Sequence, residues 1–160
     1  MIVEYYGLLS RPTFGGIDMD ATSLAIASAL LWIGSHTTYN IHTPWPTVNY
    51  VSRAALQKKA EKDSSFPISS KNEDLEIVGL YYKNTDAIFL IKGSDLQSPE
   101  EKSTLFHEVF HHVQTFNKKK EPATENGRER EAYAFENKWR EEHHLKPTYV
   151  PKLFSGQAKN

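Results

Sequence analysis

The chain has 160 residues, of which 39% are hydrophobic and 12% aromatic, which is enough for one globular domain with a buried core. A formal net charge of −1 argues against the broad positive surface that nucleic-acid binding requires. Because there is no cysteine, disulfides, thiolate metal sites and a cysteine nucleophile are excluded together. We therefore expect a single domain over residues 1–160, in which any metal site uses nitrogen and oxygen ligands.

The first part of the chain predicts one helix and no membrane segment. Residues 21–34 are the most apolar stretch, with Asp18 and Asp20 as candidate caps before it and Gly34 closing it. This helix is too short to span a bilayer, so we expect no transmembrane segment. The start Met1–Tyr6 lacks the basic segment and long apolar core of a signal peptide. A cytoplasmic location is therefore the default expectation, and a mature exported domain would look the same.

The middle of the chain predicts an extended segment, a short helix and a β-hairpin. Residues 40–49 contain two prolines and are expected to run extended, as a linker or a cleft wall. Ser52–Lys62 predicts a short amphipathic helix. Leu75–Tyr82 and Ala87–Lys92 are rich in β-branched and aromatic residues, and the polar segment between them suits a turn. They predict a pair of antiparallel strands.

Residues 99–117 are patterned as a helix. Ser98 offers an N-cap, Pro99 suits the first helical position, and Glu100 and Glu101 place negative charge at the positive end of the helix dipole. Apolar residues then recur so that, at about 100° per residue, they fill one continuous arc. The arc predicts a buried face and consists of Leu105, Phe106, Val109, Phe110, Val113 and Phe116.

The same helix carries an H-E-x-x-H motif at residues 107–111, the most informative feature of the chain. Positions i and i+4 of a helix lie one above the other, so His107 and His111 can offer two imidazole nitrogens to one tetrahedral zinc. Glu108 lies beside them, about 100° round the helix, and can act as general base on a zinc-bound water. The alternative is a metal-free fold whose solvated helix face carries the motif by accident.

A third protein ligand must come from another part of the chain, because a catalytic zinc of this type takes three and leaves its fourth position to water. A metzincin arrangement needs a third histidine six residues after His111, but Asn117 stands there, and Gln114 replaces the glycine of that turn. That arrangement is excluded. Residues 125–143 instead predict a second helix, after a breaker-rich connection over 122–127.

Two carboxylates of this second helix compete for the third ligand position. Glu129 and Glu131 lie on opposite edges of its apolar stripe, so the helical wheel alone leaves both open. Ala132 favours Glu129, because a small side chain one turn further on lets this helix approach the first one closely.

The two motifs together resemble a known group of enzymes. H-E-x-x-H-x-x-Q at 107–114, a short loop and R-E-x-E-A-Y at 128–133 are similar to motifs of the gluzincins, zinc metallopeptidases whose third ligand is a glutamate of the second helix. The compact bacterial, minigluzincin-like members are nearest in pattern, over about residues 77–140. The resemblance implies an α+β, zincin-like fold, in which a small antiparallel sheet or hairpin packs on the metal helix and the glutamate helix. It also implies Zn²⁺ as cofactor and a peptide or protein as substrate.

Carried over by residue, the resemblance assigns His107, His111 and Glu129 as metal ligands, with Glu131 as competitor, and Glu108 as general base. It also assigns a substrate-binding role to the strand just before the metal helix, here Ala87–Ile91, which would pair with an extended peptide.

Tyr133 is a further catalytic candidate. Larger family members have an aspartate four residues after the ligand glutamate, where it orients a metal-bound histidine, whereas this chain has Tyr133. A phenol can hydrogen-bond an imidazole or a developing oxyanion. Since gluzincins stabilise the oxyanion with a histidine, tyrosine or arginine, the unranked candidates for that donor are Tyr133, Tyr149, His112 and His144.

The leading hypothesis is therefore a zinc-dependent metallopeptidase in which Glu108 activates the attacking water. The alternative keeps the fold and drops the catalysis: a catalytically weak or inactive zinc-binding domain that regulates or captures a peptide. The sequence leaves the oligomeric state open.

Overall fold

The computed structural model describes residues 13–14, 17–63 and 77–148, with side chains from Met19 onward. The start Met1–Tyr6, the hairpin residues 75–76 and Tyr149 lie outside the described residues. The fold class is α+β, as predicted. Its helices are α1 (Ala21–His36), α2 (Arg53–Lys62), α3 (Pro99–Phe116) and α4 (Glu125–Glu142), and its strands are β1 (Thr13–Phe14), β2 (Ile17–Asp18), β3 (Thr47–Val51), β4 (Gly79–Tyr82) and β5 (Ala87–Ile91).

The sheet beside the helices is mixed, not antiparallel as the sequence suggested. The predicted hairpin of β4 and β5 is confirmed, but β3 pairs with β5 in parallel, from Thr47 opposite Ala87 to Val51 opposite Ile91. The segment expected to be an extended linker therefore ends in a strand. Its prolines precede Thr47, so every residue of β3 keeps the N–H that pairing requires. Because β3 and β5 are far apart in the chain, the residues around each strand do not determine that the two strands pair.

The strand order β3-β5-β4 corrects a second expectation. Ala87–Ile91 was predicted to form the cleft rim that pairs with a peptide, but β5 is the central strand and both its edges are occupied. Within the described residues, β4 pairs only with β5 and is an outer strand. β4 also packs against α3, whereas β5 is mostly buried.

Helix α1 begins where its cap predicts and ends later than expected. The Asp20 carboxylate accepts a hydrogen bond from the Ser23 N–H at 2.7 Å, so Asp20, not Asp18, is the N-cap. Gly34 was expected to close the helix but lies inside it, since α1 continues to His36. A Cβ at Gly34 would lie 2.7 Å from Cδ1 of Ile41, so this glycine permits close packing.

Helix α3 is the centre of the fold, because α1, α4 and β4 all pack against it. Pro99 starts it as predicted, although the Ser98 side chain makes no capping hydrogen bond. Every residue from Leu105 to Gln114 is buried. A solvated face at this part of α3 is therefore excluded. Phe116, predicted to belong to the buried arc, is instead 45% exposed at the end of the helix.

Aromatic side chains pack α3 against α4. The rings of Phe106 and Trp139 stack with centroids 5.7 Å apart, and those of Phe110 and Phe135 stack at 5.0 Å. Burying each phenylalanine stabilises the fold by about 1.5–3 kcal/mol.

None of the helices in the described ranges combines the length and apolar character needed to cross a membrane.

Candidate metal centre

Three ligand-type side chains converge between α3 and α4. Nε2 of His107 lies 3.1 Å from Nε2 of His111, and the Glu129 carboxylate lies 3.3 Å from the first nitrogen and 3.1 Å from the second. Two ligands of a tetrahedral zinc, each about 2.05 Å from the ion, are about 3.3 Å apart. The 3.3 Å and 3.1 Å separations are to Oε2 and Oε1 of Glu129, respectively, and with the 3.1 Å between the two nitrogens each lies close to that spacing. Two imidazole nitrogens with a carboxylate are a donor set that zinc takes. This group could hold a metal ion.

Glu131, the competing carboxylate, lies elsewhere. It accepts hydrogen bonds from the Tyr39 hydroxyl at 2.7 Å and from Nε2 of Gln114 at 2.8 Å. Two residues along a helix turn the side chain by about 200°, so Glu129 and Glu131 cannot face the same point. Of the two candidates, the structure brings Glu129 to the histidines.

The charges of the cluster depend on one another. Burial opposes the ionisation of Glu129, but His111 and His107 beside it lower its pKa well below the usual range. Burial likewise opposes a charge on His107, yet its hydrogen bonds to Glu129 and Glu136 raise its pKa well above the usual value. Two facing imidazole nitrogens and a carboxylate thus favour a positive charge among them, whether that of a proton or of a metal ion.

Glu108 lies against the outer strand of the sheet. It is 7% exposed, and this burial raises its pKa, while the Tyr81 backbone N–H donates to its carboxylate. A Cβ on Gly79 would lie 3.0 Å from Oε1 of Glu108 and 2.9 Å from Cγ2 of Thr104. Only a glycine lets β4 come this close to α3 without displacing the carboxylate.

Buried polar groups hold the His107 imidazole at Nδ1, the ring nitrogen that points away from the cluster. Its Nδ1 lies 2.9 Å from the Glu136 carboxylate, which also accepts from the Ser103 hydroxyl at 2.5 Å. Arg140 donates to that hydroxyl oxygen at 2.9 Å and pairs with Glu100 at 2.7 Å. Ser103, Glu136 and Arg140 were not identified from the sequence as part of the site. Their signal is spacing, since Glu136 follows Glu129 by two helical turns and Ser103 precedes His107 by one.

His111 is held by an amide. Oε1 of Gln114 lies 2.9 Å from Nδ1 of His111. The other end of the Gln114 side chain donates to the Arg128 carbonyl at 3.1 Å and to Glu131. Both histidines therefore present Nδ1 to an acceptor and direct Nε2 toward the cluster, the orientation that metal-binding histidines need.

A sequence-family model, described as a domain of unknown function (DUF6647), matches residues 20–151. The chain belongs to the DUF6647 family. No curated protein and no solved structure matches it. The matched range of this DUF6647 domain contains His107, His111, Glu129 and Glu108.

Tyr133 lies next to the cluster of this DUF6647 domain. Its ring centroid is 4.5 Å from that of His107. Burial raises the pKa of Tyr133 to about 12, and the neighbouring Glu129 carboxylate adds to the rise against the opposing effect of His107. The phenol is therefore protonated at neutral pH and can donate a hydrogen bond.

The other candidate donors lie elsewhere. His112 is fully buried, with Nδ1 at 2.6 Å from Asp86 and Nε2 at 2.8 Å from Thr43, so it ties α3 to the β4–β5 turn. His144 is exposed beyond the end of α4, which the rise of a helix puts about 20 Å from Glu129. Tyr149 lies outside the described residues.

Proposed function

We propose that this protein is a zinc-dependent metallopeptidase of gluzincin type with a zincin-like fold. The observation that carries the proposal is the convergence of His107, His111 and Glu129 at 3.1–3.3 Å with a buried carboxylate, Glu108, beside them. Histidines and glutamates of this kind are costly to bury together unless they bind something positive. A metal site with a general base next to it is an arrangement that can hydrolyse peptide bonds.

His107, His111 and Glu129 would hold the metal. Zinc, when bound, supplies a Lewis acid that polarises the scissile carbonyl and makes water more acidic. Glu136 and Gln114 keep the two imidazoles oriented, so that both Nε2 atoms would be available to a bound ion. Glu136 thereby does what the aspartate of larger gluzincins does, from two turns rather than one turn beyond the ligand glutamate.

Glu108 is the proton carrier of the proposed reaction. It takes a proton from the attacking water and passes it to the leaving amine as the C–N bond breaks. Its burial raises its pKa and so makes its carboxylate a stronger base than an exposed one. The Tyr81 N–H and the close approach of Gly79 keep that carboxylate in one position.

Tyr133 is the proposed oxyanion donor. A tetrahedral intermediate carries negative charge on the former carbonyl oxygen, and a preorganised O–H group stabilises it. Among the three candidates that the structure describes, Tyr133 is the one whose ring contacts a proposed ligand, His107.

The substrate would be an extended peptide bound along β4. An extended chain can pair with an outer strand through backbone hydrogen bonds. β4 is an outer strand within the described residues, and the proposed general base occupies the space where a Cβ on Gly79, at the start of β4, would lie. The central strand β5 has no such edge.

Glu108→Gln tests the proposal. Wild-type protein and the variant are analysed for bound zinc and for cleavage of casein and a peptide library, with Glu141→Gln, an exposed change on α4, as the control. We expect stoichiometric zinc in all three proteins and turnover in all but Glu108→Gln. Absence of zinc from the wild type, or equal turnover in Glu108→Gln, would refute the proposal. Zinc without any turnover would point to the inactive, peptide-binding alternative.

A further inference from the structure

Glu131 has no part in the proposed reaction, yet it is anchored close to the cluster. Its carboxylate accepts from the Tyr39 hydroxyl at 2.7 Å and from the Gln114 side-chain amide at 2.8 Å. Gln114 in turn contacts the proposed ligand His111. A short hydrogen-bonded path therefore runs from Glu131 to the cluster.

The contacts of Gln114 determine which way its amide faces. A glutamine side chain has a donor end and an acceptor end of nearly the same shape. Its NH₂ end here faces the Arg128 carbonyl at 3.1 Å and the Glu131 carboxylate, and both groups can only accept. The reverse orientation would put Oε1 against two acceptors. The amide is therefore held with Oε1 toward His111.

The direction of the amide decides where the proton of His111 lies. Because Oε1 can only accept, Nδ1 of His111 must carry the hydrogen in the 2.9 Å contact between them. A neutral imidazole has one hydrogen, so Nε2 is left with a free lone pair. That nitrogen is the atom directed at His107 and Glu129.

We propose that Glu131 is a positioning residue that selects the metal-binding tautomer of His111 through Gln114. The inference rests on the proposed zinc site. His107 does not depend on an amide, since the Glu136 carboxylate can only accept from its Nδ1. His107 is thus an internal control for the effect on His111.

Glu131→Gln tests the inference by removing the acceptor-only group at nearly constant shape. Tyr39 and Gln114 donate to the same oxygen of Glu131, and a glutamine can place either its oxygen or its NH₂ group there, so Gln114 is no longer fixed by an acceptor-only partner. We expect zinc affinity, measured by competition with a chromophoric chelator, to fall about tenfold to a hundredfold. A second measurement uses the full chain after the zinc has been removed with chelator, at a pH where the imidazoles of His107 and His111 are both neutral. Long-range ¹H–¹⁵N spectra should then show the Nε2–H tautomer gaining population at His111 and not at His107.

Two further variants separate positioning from loss of structure. Glu141→Gln should keep wild-type zinc affinity. Adding Gln114→Glu to Glu131→Gln should recover most of the lost affinity, because a carboxylate at 114 accepts from Nδ1 of His111 in either orientation. A merely structural role of Glu131 predicts no such recovery. Wild-type zinc affinity and tautomer in Glu131→Gln would overturn the inference, whereas failure of the wild type to bind zinc would overturn the proposed function instead.

Discussion

The Glu136 carboxylate lies 2.9 Å from Nδ1 of His107, reaching it from the neighbouring helix two turns beyond Glu129. The same carboxylate accepts from Ser103, whose oxygen accepts from Arg140. The buried Glu136 carboxylate is therefore hydrogen-bonded on one side to a hydroxyl that a guanidinium holds and on the other to an imidazole. Glu136 is therefore the hydrogen-bond partner that holds the far side of the His107 ring.

Glu136→Gln should weaken zinc binding. The native carboxylate accepts from Ser103 with one oxygen and from His107 with the other, and a glutamine has a single acceptor oxygen for the two donors. Groups of this kind behind a ligand are worth about tenfold to a hundredfold in metal affinity. Chelator competition measures the loss. Affinity equal to that of Glu141→Gln would contradict the role assigned to Glu136.

Gly79→Ala should lower turnover while leaving zinc affinity close to wild type. The new Cβ would lie 2.9 Å from Cγ2 of Thr104 and 3.0 Å from Oε1 of Glu108, so the base must move. Overpacking at such a site costs about 1–3 kcal/mol of stability. We expect a fall in kcat of at least about tenfold, since small displacements of a catalytic group are costly.

Thr104→Ser separates the two effects of Gly79→Ala. Serine removes Cγ2 and relieves the contact with threonine but not the contact with Glu108. The double variant should therefore recover stability in urea unfolding without recovering turnover. Recovery of both would mean that Gly79 serves packing alone.

Removal of zinc should destabilise the protein by the free energy with which bound zinc stabilises the folded state. At a free zinc concentration of about 100 times Kd, binding stabilises the folded state by about 2.7 kcal/mol. Thermal unfolding with zinc and with excess chelator measures the difference. His111→Ala should abolish the zinc-dependent shift, and His42→Ala, an exposed histidine, should retain it. Equal shifts in the two variants would place the zinc elsewhere.

The stability of α1 should depend on pH through Asp20. The Ser23 backbone N–H, the largest cause, lowers the pKa of Asp20 below its usual 3.8. A carboxyl whose pKa is lower in the folded state stabilises the fold above its unfolded pKa, and this contribution is lost as pH falls through the folded pKa. Asp20→Ala should cost about 1 kcal/mol at neutral pH and less below about pH 3.

Asp20→Asn is the matched control for this pH effect. Asparagine is also a good N-cap, so the variant should keep most of the stability but lose its dependence on pH. Urea unfolding at both pH values gives the comparison. An Asp20→Ala cost that does not change with pH would show that the charge on Asp20 contributes nothing.

Features that depend on neighbouring residues were predictable from the sequence. Pro99 and the apolar arc of α3 are local signals, and the spacing of His107 and His111 places them on one helical face whatever the rest of the chain does. The β4–β5 hairpin was equally predictable from the sequence, because its two strands adjoin the same turn.

Features that depend on how distant segments pack were decided only by the tertiary structure. The wheel of α4 admits Glu129 or Glu131, and the rotation of α4 against α3 brings Glu129 to the histidines and sends Glu131 to Tyr39. The same packing brings Glu136 to His107. The parallel pairing of β3 with β5 makes β4 rather than β5 an outer strand. A helix or strand period determines which residues share a face, but only burial of those faces against one another decides what each face meets.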